Sequence, residues 1–133
     1  IDLRKVPFLG AASQAAGHIF VDRSNPVAAK QSMQKALEQL KNGVSVVIFP
    51  EGTRTKTGKL GKFKRGAFLM ALELQLPIVP ITIAGSFERI KGWRTFPGTI
   101  KMTIHPPVDV TTYGMDESSA LLRNTQEIIR SGL

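Results

Sequence analysis

The chain has 133 residues, room for one domain with a single core but not two. Its hydrophobic content, 42%, is that of an ordinary globular protein. The absence of cysteine excludes a disulfide framework and a thiolate metal site, and no apolar run approaches the roughly 20 residues of a spanning helix.

The net charge of +8 is unevenly spread. Residues 52–72 hold six cations (Arg54, Lys56, Lys59, Lys62, Lys64, Arg65) and no acidic residue. Such a patch attracts anions: nucleic acid, an anionic membrane surface or a phosphorylated substrate. A merely solvated basic face is the plain alternative. The chain starts at Ile1 without methionine or a signal peptide, and it is expected to be a piece of a longer polypeptide.

Residues 3–17 predict a short helix, with Pro7 in its first turn and Gly17 at its end. Ile19 to Val21 is a short β-prone run leading to Asp22 and Arg23. Ser24-Asn25-Pro26 then starts a second helix: cap residues, then proline at the first helical position. Val27, Met33, Ala36, Leu37 and Leu40 recur at three- and four-residue spacing until Asn42-Gly43. This amphipathic helix is best explained as a layer over a sheet. Residues 44–49 return to that sheet as a buried strand. Strand, crossover helix and strand predict a right-handed βαβ unit with parallel pairing.

That strand runs into Pro50-Glu51-Gly52-Thr53-Arg54. Pairing should stop at Pro50, which has no donor. Gly52 permits a sharp backbone path or close approach to a ligand. Thr53 offers a hydroxyl, and Arg54 a planar fork suited to phosphate or carboxylate. The end of a central strand is where an open α/β sheet usually binds its ligand. A nucleotide P-loop fails here on detail. Five residues separate Gly52 from Gly58, and Leu60 stands where a magnesium-binding hydroxyl is required.

A further helix is predicted from about Phe63 to Leu76, apolar over much of its circumference and stopped by Pro77. The free N–H groups at its start, near residues 62–65, would add to an anion site. Residues 78–84 read as a strand that Pro80 restricts or bulges. Residues 85–98 read as irregular and basic, and carry Trp93. Residues 99–104 read as a fourth strand, His105 to Val110 as a stiff connector, and residues 116–131 as a final helix with Ala120, Leu121, Ile128 and Ile129 on its apolar side.

The string Phe49-Pro-Glu-Gly-Thr-Arg-Thr-Lys-Thr-Gly-Lys-Leu-Gly-Lys-Phe-Lys-Arg-Gly-Ala-Phe68 resembles the Glu-Gly-Thr-Arg block of the 1-acyl-glycerol-3-phosphate acyltransferases, and its continuation. Gly17, Ile19, Phe20, Asp22 and Arg23 match the block before it, and the proline-bearing segment at 78–84 resembles the block after. The resemblance covers nearly the whole chain. It implies an α/β fold with a mixed, largely parallel sheet flanked by helices, here as a partial domain.

It also implies transfer of a fatty acyl group from coenzyme A or acyl carrier protein to the free hydroxyl of lysophosphatidate, giving phosphatidic acid. No cofactor is implied beyond that donor. Arg23 and Arg54 are expected to bind the acceptor phosphate. Glu51 is expected to order Arg54 or touch substrate, and Gly52 and Thr53 to shape the turn and offer donors. The setting implied is a membrane surface on its cytosolic face, in a bacterial inner membrane or the endoplasmic reticulum, with no nucleic acid. From the residues alone, a non-catalytic lipid-phosphate module and a nucleic-acid-binding module remain the alternatives.

The family's general base is a histidine oriented by an aspartate five positions on. Here Asp22 follows His18, and Asp109 follows His105, by four positions each, and neither histidine precedes the Arg23 block as the family's does. Neither is expected to be catalytic. The family's histidine block is expected upstream of Ile1.

Overall fold

The computed structural model describes residues 41–91 and 94–133, with helical positions also described at 12, 15, 31, 34, 37 and 38. The chain divides into two compact units, Ile1–Val47 and Ile48–Leu133. In the first, positions 31, 34, 37, 38 and 41 are helical, and Asn42 and Gly43 form the turn that ends the helix. Gly43 has φ of 80°, and the Asn42 N–H donates to the Glu38 carbonyl at 3.1 Å, as expected of a left-handed helix stop. The expected strand at 19–21 and the start of the second helix lie outside the described residues.

Residues 44–49 carry no regular secondary structure, against the expected buried strand. Val47 is 80% exposed and Phe49 73%. An apolar run becomes a strand only where a neighbour completes its hydrogen-bond ladder. The two small sheets among the described residues are built without it.

The second unit begins its regular structure at α1 (Gly66–Leu74), which buries Phe68, Met70 and Leu72. The helix stops two residues before the predicted end. Gln75 takes the left-handed conformation (φ 52°), and the Leu76 N–H reaches back to the Ala71 carbonyl before Pro77 ends any continuation. Strand β1 (Ile81–Ala84) follows, shorter than the predicted 78–84. Pro80 is buried and breaks the run: before it, Ile78 makes only an isolated antiparallel bridge to Val108.

Residues 85–98 are more regular than expected. They hold a one-turn helix α2 (Ser86–Arg89) and a hairpin of β2 (Ile90–Lys91) with β3 (Arg94–Thr95). Strand β4 (Lys101–Ile104) pairs with β1, Ile81 opposite Ile104 and Ile83 opposite Met102. Both described pairings are antiparallel. Two single-turn 3₁₀ helices, Val110–Thr112 and Met115–Glu117, lead into α3 (Ser118–Ser131).

The core is where α1 meets α3 and the first 3₁₀ turn. Phe68, Leu72, Val108, Val110 and Leu121 form its buried cluster, with Phe63, Ala67, Ile78, Tyr113 and Ile128 packed against it. Phe63 and Phe68 stack, centroids 6.2 Å apart. The sheet is tied to α3 by Thr82, whose hydroxyl donates to the Ile129 carbonyl at 2.8 Å. This packing positions α3 behind the segment that leads out of the Glu-Gly-Thr-Arg stretch.

Candidate functional site

Phe49, Pro50, Glu51 and Gly52 form a β-turn closed by a 3.0 Å bond from the Gly52 N–H to the Phe49 carbonyl. Proline at its second position supplies a pre-set φ. Gly52 has φ of 70°, a conformation that disfavours any side chain. Thr53 and Arg54 leave this turn exposed. Among the described residues the Arg54 guanidinium makes no hydrogen bond.

The loop that follows holds itself together locally. The Thr55 hydroxyl donates to the Lys59 carbonyl at 2.9 Å, and the Thr55 and Thr57 hydroxyl oxygens accept from the N–H groups of Thr57 and Lys59. These are the short-range hydroxyl turns that threonine forms in place of regular structure. The loop is then closed against the turn. The Gly61 N–H donates to Glu51 Oε2 at 2.6 Å, and the Lys64 N–H to the Pro50 carbonyl at 2.8 Å. A charge-assisted bond of that length is among the stronger ones available to a loop.

The result is an open cleft of about 350 Å³, lined by Glu51, Thr53, Arg54, Lys56, Lys59 and Lys62 among others. Four cations line it, and the one carboxylate accepts the Gly61 amide through Oε2. The arrangement suits a phosphate: a fork from Arg54, a field from the lysines, and hydroxyl donors from threonine. Arg65 is not part of the free set, because it donates to Ser118 Oγ at 2.7 Å. It is also the N-cap of α1, and no side chain caps that helix.

Of the residues singled out from the sequence, the structure brings Glu51, Gly52, Thr53 and Arg54 to one turn. Arg23 lies outside the described residues, as do His18, Asp22 and Trp93. His105 and Asp109 are engaged separately. Thr82 gives its only hydroxyl proton to Ile129, so at 2.9 Å its oxygen accepts from His105 Nε2, which therefore carries a hydrogen. Asp109 Oδ1 accepts from both the N–H and the hydroxyl of Thr111. Those bonds hold its carboxyl below the ordinary carboxylate pKa. Neither residue is set up as half of a histidine–aspartate base.

Sequence reasoning missed three residues that support the site: Gly61, Gln126 and Ser118. Gly61 could have been suspected as a glycine at a loop's end. Nothing in the pattern around Gln126 or Ser118 marks them, because their partners lie far away in the chain.

A family model described as Acyltransferase matches residues 1–84, and the chain belongs to that family. The 1-acyl-sn-glycerol-3-phosphate acyltransferase of Pseudomonas aeruginosa is 44% identical over 107 residues, 79% of this chain and 42% of that protein. The enzyme of the same name from Escherichia coli is 30% identical over 125 residues, 93% of this chain and 51% of that one. Among solved structures, the 1-acyl-sn-glycerophosphate (LPA) acyltransferase PlsC of Thermotoga maritima superposes with a TM-score of 0.82 at 31% identity, over 98% of this chain and 52% of its own. The chain thus spans about half, or somewhat less, of the length of these relatives. Residues 85–133, including α3, lie beyond the family match.

Proposed function

We propose that this chain supplies the acceptor-phosphate site of a 1-acyl-glycerol-3-phosphate acyltransferase. The free hydroxyl of lysophosphatidate attacks the thioester carbonyl of an acyl group carried on coenzyme A or acyl carrier protein. The new ester C–O bond forms, the C–S bond breaks, and the thiol leaves as the hydroxyl proton passes to a general base. The base is the family's histidine–aspartate pair, which this reading takes from outside the described residues. The chain contributes binding and orientation of the acceptor, which convert a two-body encounter into a positioned one.

The observation that carries the reading is Arg54. Its guanidinium is exposed, free among the described residues, and aimed from a turn that Glu51 latches at Gly61. Arg23 is assigned as its partner on the same phosphate. Gly52 and Thr53 shape the turn, and Thr53 offers a further donor. No resident cofactor is called for, since the thioester itself brings the activation. The single acyltransferase domain and its largely parallel sheet belong to the same proposal, as does work at a membrane surface from the cytosolic face. No helix among the described residues is long and apolar enough to cross a membrane.

The test is acceptor discrimination by the full-length protein. With a labelled acyl-coenzyme A, the reading expects transfer to lysophosphatidate at least a hundredfold faster, as kcat/KM, than to the monoacylglycerol that lacks the phosphate, the discrimination of about 2.7 kcal/mol that a phosphate-binding fork should supply. Equal use of the two acceptors would remove the phosphate from the account.

A further inference from the structure

The exposed loop at 52–60 bonds mainly to itself, and what sets Arg54 relative to the core is the peptide of Gly61. Both polar groups of that residue are held by side chains, from opposite directions in the sequence. Its N–H donates to Glu51 Oε2 at 2.6 Å, and its carbonyl accepts from Gln126 Nε2 at 2.9 Å. Gln126 stands on α3 beside buried Thr125, and its side-chain bond is partly shielded from water. The same helix holds Arg65 through Ser118 Oγ, so α3 grips both ends of the segment 61–65. That segment in turn carries the rung from Lys64 to Pro50.

We propose that Gln126 is a positioning residue for acceptor binding: with Glu51 it clamps the Gly61 peptide, and through that clamp α3 fixes the turn that presents Arg54. The proposal rests on the reading of Arg54 as the phosphate ligand. It assigns a role in the site to a helix that the family match does not reach. It gives Glu51 a part in ordering the loop, through the bond from the Gly61 amide to its Oε2. A loop that loses one side of the clamp samples states in which Arg54 is misplaced, and the apparent acceptor affinity falls by the fraction of time it is so displaced.

The test uses the full-length enzyme with Gln126→Met, which keeps the shape and removes the donor, Gln126→Glu, which turns an acceptor toward the carbonyl, and Gln126→Lys, which restores a donor. Arg54→Ala serves as reference. Gln126→Met is expected to raise the acceptor KM about five- to tenfold, with kcat and the acyl-donor KM within about twofold of wild type. Gln126→Glu is expected to raise it further, and Gln126→Lys to recover most of the loss. Hydrogen exchange of the peptide spanning residues 58–64 should quicken in the first two variants alone.

An unchanged acceptor KM in Gln126→Met, beside a raised one in Arg54→Ala, overturns the role of Gln126 and leaves the phosphate site standing. An unchanged KM in Arg54→Ala overturns both. A loss of folding in Gln126→Met and Gln126→Glu alike, or a fall of kcat in step with the folded fraction and no change in acceptor KM, makes Gln126 a helix-docking residue and also overturns the proposal.

Discussion

Replacing Gly61 by alanine isolates the latch from the rest of the fold. Gly61 lies outside the left-handed region, so its backbone accepts a side chain without strain. The new Cβ, however, would sit 2.7 Å from Glu51 Oε2, well inside ordinary contact. The carboxylate must swing away, and the 2.6 Å bond to the Gly61 N–H goes with it. A hydrogen bond to a charged group is worth about 1.5–3 kcal/mol, and water reaching this half-buried site should recover part, leaving about 1–2 kcal/mol. That loss falls on the ordered loop, where about 1.4 kcal/mol is a factor of ten in population. The acceptor KM should therefore rise by roughly five- to thirtyfold. Global stability should fall by less, because alanine in place of glycine narrows the unfolded ensemble by about 0.4–1 kcal/mol. Initial rates against lysophosphatidate at saturating acyl donor, together with denaturant unfolding, measure both quantities. A Gly61→Ala enzyme whose acceptor KM stays within twofold of wild type would show that the loop does not depend on this latch.

Three further outcomes follow from the packing. Leu121 is fully buried between α1 and the first 3₁₀ turn, and Leu121→Ala should cost about 2–5 kcal/mol in denaturant unfolding, the range for a cavity in a close-packed core. Thr82→Val keeps the volume but leaves the His105 Nε2–H without its acceptor; a loss of about 1–3 kcal/mol is expected, and an unchanged unfolding midpoint would mean that water replaces the threonine freely. The Asp109 carboxyl has a lowered pKa in the folded state, so its contribution is complete above the unfolded value and disappears as pH falls through the folded one. The difference in melting temperature between wild type and Asp109→Asn should shrink over that acid window and stay constant near neutrality.

Helices were the most legible elements. An apolar run with Pro77 beyond it marks α1, and the spacing of Leu121 and Ile128 marks α3, because an amphipathic helix records its buried face within a few consecutive turns. Sheet partners are not recorded that way. The run at 44–49 is apolar and β-branched, yet the pattern does not say which strand completes its ladder. Nor do the residues of β1 announce that β4 lies beside them antiparallel. The two-residue strands of the 90–95 hairpin are too short to show alternation at all.

At the site, the turn and its arginine could be read from Pro50 to Arg54, since proline, glycine and a charged fork carry their roles locally. The latch could not. The bond from Gln126 to Gly61 joins positions 65 residues apart, and a glutamine on a helix flank looks the same whether it meets water or a carbonyl. Even for Glu51, recognised as part of the motif, the bond to the Gly61 amide ten residues on could not be read from the pattern.

The decisive measurement is the phosphate preference of the Arg54→Ala enzyme, taken as the ratio of kcat/KM for lysophosphatidate to that for monoacylglycerol. If Arg54 grips the phosphate, the substitution should cut kcat/KM for lysophosphatidate by about tenfold or more, the equivalent of about 1.5–3 kcal/mol for a hydrogen bond to a charged group, and leave the phosphate-free acceptor nearly unaffected. If both acceptors lose rate by the same factor, or neither does, the cleft beside Arg54 is not where the phosphate binds.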